Sequence, residues 1–458
     1  MQSISMKIPH SPHSIHHPIP KHHISHHHRH KQFHLKRELG LFNTTVAGVG
    51  VIIGAGIYVL IGAAAGLAGN ALWIPFLLSA FVALFTGLSY AELSSLFPKD
   101  AGEYLYVEKA SNRFFAFVTG YLVLLTTVVT AAAVSLGFAG YFAALFQLSF
   151  VLPIAFAIIG ALSFINFIGI NYSTRLNVFL GIFEISGLLF IIIFGARFIG
   201  SVNYLVMPHG IAGVLSATAL IFFAFGGFEA IVKLSEETKH ARTVIPRALI
   251  LAIMITTILY TFVGLAAVSV IGWEELSRSP APLATVAQAL VGSKAFIILA
   301  IVALFSTANT MLITLVTSSR MFYGLGKEIP RLRFFSKVNR RTATPHRAIL
   351  LVLILSWLFV LFGKNITFVA SITNFALFIT FFAVNLSAII LRFKDPRVRA
   401  FRIPVNIGRF PLLPVFGALF CIFMIINLPL TVIGVGSLLV VLGMVLYLFV
   451  RAKQRHKK

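Results

Sequence analysis

The chain has 458 residues, of which 58% are hydrophobic and only 11% are charged, and its mean hydropathy is +0.94. A water-soluble globule carries about one-quarter charged residues, so this composition excludes that class. A disulfide-stabilised secreted domain is excluded as well, because the single cysteine, Cys421, cannot form a bridge within the chain. A net charge of +24 would suggest a nucleic-acid partner in a soluble protein, so the positions of the charges must be examined.

The first 40 residues differ in composition from the rest of the chain. Eleven of the fifteen histidines lie between His10 and His34, among several prolines and without the apolar run of a signal peptide. This composition predicts a disordered cytoplasmic tail over residues 1–40. Imidazole binds metals and titrates near neutrality, but the irregular spacing of the histidines favours a tail without a metal site.

Twelve apolar stretches, each long enough to cross a bilayer as a helix, follow the tail. The predicted spans are 43–66, 72–96, 115–139, 150–168, 176–196, 211–232, 248–272, 295–319, 348–363, 366–391, 411–429 and 431–450. If the N-terminus is inside, 33 of the 37 Lys and Arg residues fall in cytoplasmic segments. We therefore expect a multi-pass protein of the plasma or inner membrane with both termini in the cytoplasm. The basic excess then requires no nucleic-acid partner.

Glycines are clustered within the first and sixth spans. The first span contains GVGVIIGAGIY from Gly48 to Tyr58, and the sixth contains FFAFGGFE from Phe222 to Glu229. Inside hydrocarbon, such clusters mark places where a helix can break beside a cavity. Equivalent breaks in helices one and six are typical of a repeat of five helices in inverted orientation. Free N–H and carbonyl groups at the breaks could hold a zwitterionic amino acid. Close helix packing explains the glycines equally well, so the residues alone leave both interpretations open.

Several motifs occur in order along the chain. They are GVGVIIGAGIYV in the first span, YAEL at the end of the second and AGEYLY after it, IFFAFGGFEAI and SEETKHARTVIPRA around the sixth, SSRMFYGLGKEIP from the end of the eighth, and RAFRIP at Arg399–Pro404. Through these motifs the chain resembles the amino acid-polyamine-organocation transporter superfamily, and within it the bacterial branch similar to cationic amino acid transporters. The resemblance covers about Gly40 to Pro404.

The resemblance implies an all-α membrane protein of twelve helices. Its core would contain five plus five helices as inverted repeats with helices 1 and 6 broken, and two C-terminal helices would follow. The expected segments are a core over 41–404 with repeats at about 41–200 and 205–395, helices 11–12 over 405–451, and a basic tail over 452–458. Transport would proceed by alternating access to a site near the middle of the membrane.

The resemblance also places a substrate site at the two breaks. The substrate carboxylate would meet the N–H groups of Ala55 and Gly56, and the amine would meet carbonyls near Ile52, Phe223 and Gly226. Phe223 would form an aromatic lid, although an aromatic ring in a lipid-embedded helix more often serves packing alone. The predicted substrate-binding residues are Ile52, Gly54, Ala55, Gly56, Phe223, Gly226 and Glu229.

Acidic residues within spans are costly, at about 2.5–3.5 kcal/mol near the bilayer centre, and mark functional positions. Glu229 follows the second break and could hydrogen-bond the broken backbone, relay protons, or pair silently between helices. By the resemblance, Glu184 stands where many sodium-independent relatives have a lysine. It could carry the transported proton, bind Na⁺ together with Ser306 or Thr307, or belong to a structural polar network. We favour the proton carrier.

These observations predict a secondary active amino acid transporter, or permease, that couples proton symport to uptake of a neutral amino acid. A neutral substrate is favoured because the expected pocket residues Ala132, Phe228, Thr310 and Asn374 are apolar or uncharged. Alternatives are an amino acid or polyamine exchanger, a Na⁺-coupled carrier, and, as a different class, a transporter-like solute sensor. No span carries a hydrolase or metalloprotease motif, so we expect neither an enzyme nor a cofactor beyond the coupling ion, H⁺ or Na⁺. The expected partners are a small amino acid and the lipid bilayer, and the oligomeric state is not indicated.

Overall fold

The computed structural model describes residues 39–97, 102–169, 174–339, 341–363 and 365–452. Most of the predicted His-rich tail and the basic tail lie outside these residues. Within the described chain nearly all residues are helical, and the strands pair only Asn406–Ile407 with Phe410–Pro411. The predicted all-α class is therefore confirmed.

Fifteen α-helices occur among the described residues. The first eight are α1 (Leu41–Ile52), α2 (Ala55–Ala68), α3 (Trp73–Leu96), α4 (Glu103–Ala110), α5 (Arg113–Phe146), α6 (Val151–Ile168), α7 (Thr174–Gly195) and α8 (Gly210–Ile221). The others are α9 (Ala241–Arg278), α10 (Pro282–Val291), α11 (Ser293–Glu328), α12 (His346–Gly363), α13 (Ile366–Lys394), α14 (Leu412–Ile426) and α15 (Leu430–Ala452).

These helices account for the twelve predicted spans. Ten helical runs of the described chain are long and apolar enough to cross a membrane, and one of them is the 42-residue run Ala55–Leu96. A straight helix of that length would measure about 63 Å, twice the thickness of the hydrocarbon core, so the run contains two spans. They meet at Gly69, whose φ of +66° suits glycine. Two shorter apolar helices, α1 and α14, complete the set, because α1 and α2 together form the first span.

Both predicted helix breaks are present. The first span is interrupted between Ile52 and Ala55. In the sixth span, α8 ends at Ile221 and is followed by the 3₁₀ segments Phe222–Phe225 and Phe228–Glu236. Gly227 separates these segments with a φ of +111°, a backbone conformation that glycine adopts readily. Each break exposes backbone groups that a continuous helix would satisfy.

The helices around the breaks form two sets of neighbours. In the first set, α9 packs against α1, α2 and α3, and α8 packs against α2 and α3. In the second set, α5 packs against α6, α11 and α13. Large side chains that are fully buried fill the space around the breaks, among them Tyr58, Phe222, Phe225 and Tyr260. On α15, by contrast, Leu430, Leu438 and Phe449 are exposed, as expected for a helix that faces lipid.

The helices extend beyond several predicted apolar windows. For example, α9 begins at Ala241 rather than at residue 248, because its first turns carry arginines that a hydropathy window excludes. The short helices α4 and α10 were not predicted, since neither could span a bilayer.

We call the end of the bundle where α1 begins and α13 ends the basic face, and the other end the opposite face.

Candidate functional site

The first break is held together by side chains of two other helices. The N–H of Ala55 donates to Thr310 Oγ1 of α11 at 3.2 Å. The carbonyl of Ile52 accepts a hydrogen bond from the Tyr260 hydroxyl of α9 at 3.0 Å, and it also accepts from the N–H of Gly54 at 2.8 Å. The polar backbone groups at this break are therefore in part satisfied by α9 and α11.

The second break is closed mainly by its own residues. The N–H of Gly227 donates to Glu229 Oε2 at 2.9 Å, and the N–H of Gly226 donates to the carbonyl of Phe223 at 3.2 Å. The Tyr260 hydroxyl also lies 3.1 Å from the carbonyl oxygen of Ala224. One fully buried phenol on α9 thus bridges carbonyls at both breaks.

The two breaks are in direct backbone contact. A Cβ atom added to Gly56 would lie 2.5 Å from Ala224 Cα, and one added to Gly227 would lie 3.0 Å from the carbonyl oxygen of Val51. The glycines therefore serve close packing as well as helix interruption. Both interpretations of the glycine clusters, helix breaks and close helix packing, apply at the same time. The accessible surface at the breaks is formed by Gly54, Gly226 and Gly227, which are half-buried, whereas Ala55 and Gly56 are buried.

The predicted lid and pocket residues occupy different surroundings. Phe223 lies in the 3₁₀ turn at the second break and is 8% exposed. Phe228 is fully buried, with its ring centroid 5.1 Å from that of Phe381. The amide of Asn374 on α13 donates to the carbonyls of Ala219 and Leu220, so it supports the end of α8.

Glu184 lies in a second polar site, between α7 and α11. Its side chain is buried, and Asn309 and Ser306 of α11 are its polar neighbours. Asn309 Nδ2 is 3.5 Å from Glu184 Oε1, whereas Glu184 Oε2 and Ser306 Oγ have no hydrogen-bond partner. The Tyr58 hydroxyl of α2 donates to the backbone carbonyl of Glu184 at 2.6 Å. This contact connects the polar site to the helix that follows the first break.

The structure thus brings the predicted substrate residues together at the breaks and places Ser306 beside Glu184. Thr307 does not hydrogen-bond to the Glu184 carboxylate. The Thr307 hydroxyl instead donates to the carbonyl of Ala303 in the same helix at 2.7 Å. Among the described residues, no group of three or more His, Cys, Asp or Glu side chains could hold a metal ion.

Two residues of these sites, Tyr260 and Asn309, were not predicted from the sequence. Tyr260 lies within a long apolar run, and Asn309 directly precedes Thr310, which was assigned to the pocket. The available signal was a polar group in the middle of a span, which hydrocarbon tolerates only when it has a partner.

The comparisons with known proteins agree with this architecture. Residues 39–450 match the family model described as amino acid permease. The chain belongs to this family. The branched-chain amino acid permease BcaP of Bacillus subtilis (strain 168) is 31% identical over 441 residues, which cover 90% of this chain and 92% of BcaP.

Two further relatives from the same organism carry different names. The methylthioribose transporter is 28% identical over 86% of this chain and 89% of its own length. The glutamate/serine transporter AimA is 26% identical over 92% of this chain and 83% of its own length. The amino acid permease is therefore a multi-pass membrane transporter and not an enzyme, and the superfamily resemblance is confirmed.

Proposed function

We propose that this permease is a proton-coupled symporter of a neutral amino acid that works by alternating access in the cell membrane. The observation that carries the proposal is the setting of Glu184, a buried carboxyl group with one unpartnered oxygen beside the core of a family transporter. Membership of the amino acid permease family supports the substrate class.

The setting of Glu184 favours proton carriage because no cationic partner among the described residues compensates its charge. Its hydrogen-bonded neighbour is an amide, Asn309, and none of the ion pairs found in the described chain includes Glu184. An ionised carboxylate without a counter-ion is unfavourable in a buried site, so binding a proton stabilises it there. The contact from Tyr58 gives the proton-binding site a route to influence the first break.

A neutral substrate is supported by the chemistry at the breaks. Glu229, the acidic residue nearest to them, accepts the N–H of Gly227 through Oε2 and so stabilises the backbone of the second break. The adjoining residues Phe223 and Ala224 are apolar. The name of the relative BcaP makes branched-chain amino acids the first substrates to test.

The orientation follows from charge. Arg242 and Arg247 at the start of α9 lie on the basic face, as do Lys327 at the end of α11 and Arg392 and Lys394 at the end of α13. Cytoplasmic loops carry the excess of such residues. The basic face would accordingly be cytoplasmic, with both termini on that side. Cysteine labelling of a variant such as Arg113→Cys, in intact cells and in inverted vesicles, tests this: modification by an impermeant reagent in intact cells would contradict it.

A Na⁺-coupled carrier is the second candidate. Glu184 Oε2 and Ser306 Oγ are buried oxygens without partners, and oxygen atoms are the ligands that hard cations prefer. Two such oxygens leave most of a coordination shell to be supplied by backbone carbonyls or water, so this arrangement supports a proton better than a sodium ion.

The deciding experiment is uptake by the purified protein in liposomes. A panel of radiolabelled amino acids, beginning with branched-chain ones, is supplied in sodium-free buffer with an inward proton gradient. We expect accumulation above equilibrium that a protonophore abolishes. Glu184→Gln is expected to lose gradient-driven accumulation, whereas Glu274→Gln, an exposed acid on the opposite face, is expected to behave like wild type.

Each alternative gives a different result in the same assay. Accumulation that requires Na⁺ would show that sodium, rather than the proton, is the coupling ion. Uptake that requires internal amino acid would indicate an exchanger, and binding without uptake would indicate a sensor. Glu184→Gln with unchanged gradient-driven accumulation would overturn proton carriage by this residue.

A further inference from the structure

A continuous row of polar side chains joins α3 to α13 at the basic face. On α3 the row contains Thr86, Ser89, Glu92 and Ser95, spaced three residues apart and all buried. Residues at this spacing occupy neighbouring positions on one side of a helix, and the row is about 14 Å long. We call this row, together with its partners on α13 and in the segment that follows α13, the polar seam.

Hydrogen bonds run along the whole polar seam. In the part of the seam farther from the basic face, Ser89 Oγ donates to Asn385 Oδ1 at 2.6 Å, and Asn385 Nδ2 donates to Thr86 Oγ1 at 3.0 Å. At the basic end, Ser95 Oγ lies 3.3 Å from the carbonyl oxygen of Phe401. Every polar position of the row on α3 therefore has a partner on α13 or just beyond it.

Glu92 is the centre of the polar seam. Both oxygens accept from the Arg392 guanidinium, through Nε and Nη2 at 2.5 Å each. Arg399 Nε lies 2.8 Å from Oε1, and the N–H of Ile403 donates to Oε2 at 2.8 Å. Four donors from α13 and the following segment thus hold one carboxylate that is 1% exposed.

The remaining donors of the two arginines are also used within the protein. Arg392 Nη1 donates to Asn406 Oδ1, and Arg399 Nη2 donates to the carbonyl of Leu391. Nearby, Asp395 pairs with Arg397, whose hydrogen bond lowers the pKa of the Asp395 carboxyl group below its usual range. Since the donors of both arginines are occupied, the cluster is suited to joining helices rather than to binding an anion.

Packing around α1 is different. An open apolar groove of about 470 Å³ lies beside α1 and is lined by residues of α1, α7 and α9, including Val49, Ile185 and Ile255. Where α1 meets α7, Gly50 and Gly181 approach closely, with no side chains to interlock. This apolar contact between α1 and α7 has free volume beside it and contains no ion pair, so it resists a shift of α1 less than the polar seam resists separation.

We propose that the polar seam is a fixed pivot: α3 and α13 stay joined at the basic face throughout the transport cycle, while α1 moves against α7. The proposal rests on the alternating-access function proposed above. Its physical basis is the cost of separating a buried carboxylate from its arginines, which leaves uncompensated charge on both sides. The two sets of helices meet at this seam, so it defines where rotation of one set against the other can occur.

A cross-link across the polar seam tests the proposal. Ser95→Cys and Phe401→Cys, in a Cys421→Ala background, are joined by copper-phenanthroline oxidation or a short bis-methanethiosulfonate reagent. We expect the cross-linked transporter in liposomes to keep uptake within about twofold of its reduced form. Loss of uptake on cross-linking, restored by dithiothreitol, would show that the seam opens during transport and would overturn the pivot.

A matched cross-link on α1 provides the control. Gly50→Cys and Gly181→Cys, in the same background, are treated in the same way. Uptake is expected to fall at least about tenfold when these cysteines are joined and to recover on reduction. Undiminished uptake with α1 joined to α7 would overturn the assignment of α1 as the moving element.

Hydrogen exchange tests the pivot without any transport assay. In the wild-type protein, amides of residues 86–95 and 385–392 are expected to exchange at least about tenfold more slowly than those of α1. Equal exchange would contradict the pivot even if proton-coupled uptake is observed. Slow exchange at the seam in a protein that takes up no amino acid would refute the proposed function while leaving the pivot intact.

Discussion

The two helix breaks are built from the same kinds of backbone groups, yet they are stabilised in different ways. At the first break, α11 and α9 supply the Thr310 and Tyr260 hydroxyls. At the second break, the chain folds back on itself, and Glu229 accepts the N–H of Gly227 within the same segment. The first break therefore depends on how neighbouring helices are placed, whereas the second depends mainly on its local sequence. A rearrangement of helices would alter the first break more readily.

The largest effect is expected from Gly227→Ala at the second break. Its φ of +111° is unfavourable for alanine, and the new Cβ would approach the carbonyl oxygen of Val51 to 3.0 Å. Backbone strain of this kind costs about 1–3 kcal/mol. We expect loss of uptake and a lower midpoint of thermal unfolding in detergent.

Gly434→Ala is the matched control for that substitution. Gly434 lies on α15, and no atom lies within 4 Å of the position of an added Cβ. Alanine also favours helix over glycine, so stability is expected to be unchanged or slightly higher. Equal thermal midpoints for the two variants would show that the second break does not depend on glycine at position 227.

Tyr260→Phe breaks the contact that the two breaks share. The substitution keeps the ring, which packs against Phe225 at a centroid distance of 5.3 Å, and removes the donor to Ile52 and Ala224. Losing a buried hydrogen bond costs about 1–3 kcal/mol, so we expect uptake to fall about tenfold or more. A normal uptake rate and substrate affinity would mean that the bridge has no role in positioning the breaks.

Thr310→Val tests the first break alone. Valine keeps the shape of threonine and removes the acceptor for the N–H of Ala55, so we expect about a two- to tenfold loss of uptake. Thr310→Ser retains the hydroxyl and should lose less. Equal losses for the valine and serine variants would indicate that side-chain packing, rather than the hydrogen bond, matters at this position.

The smallest effect is expected from Glu229→Gln at the second break. The amide oxygen of glutamine still accepts the N–H of Gly227, but a neutral acceptor binds more weakly than a carboxylate. We expect about a two- to fivefold loss of uptake with an unchanged pH profile, and a larger loss for Glu229→Leu. A changed pH profile would instead assign proton transfer to Glu229.

Much of the fold follows from local properties of the sequence. The apolar runs predict the twelve spans because hydrocarbon thickness sets their length, and the clustered glycines of the first and sixth spans predict both breaks. The start of α9 and the helix α4 were not predicted because their charged residues lower the hydropathy of the window, and α10 was not predicted because its ten residues are too few to span a bilayer.

The site was less predictable because its contacts join distant parts of the chain. The backbone groups of the breaks could be named from the glycine pattern, but their partners, Tyr260 and the Thr310 hydroxyl, lie more than 200 residues from the first break. Glu184 was recognised as an unusual acid, whereas the proximity of Asn309 depends on how α7 and α11 pack. Pairwise contacts of this kind leave no trace in composition or periodicity.

The ion pair between Glu92 and Arg392 also bears on how the protein is synthesised. The two residues are 300 positions apart, and ribosomes add roughly 5–20 residues per second, so Glu92 precedes its partner by about 15–60 s. During that interval neither Arg392 nor Arg399 is available to the carboxylate of the second span. The nascent second span must therefore wait near the membrane surface, carry a proton, or be shielded by the insertion machinery until α13 emerges.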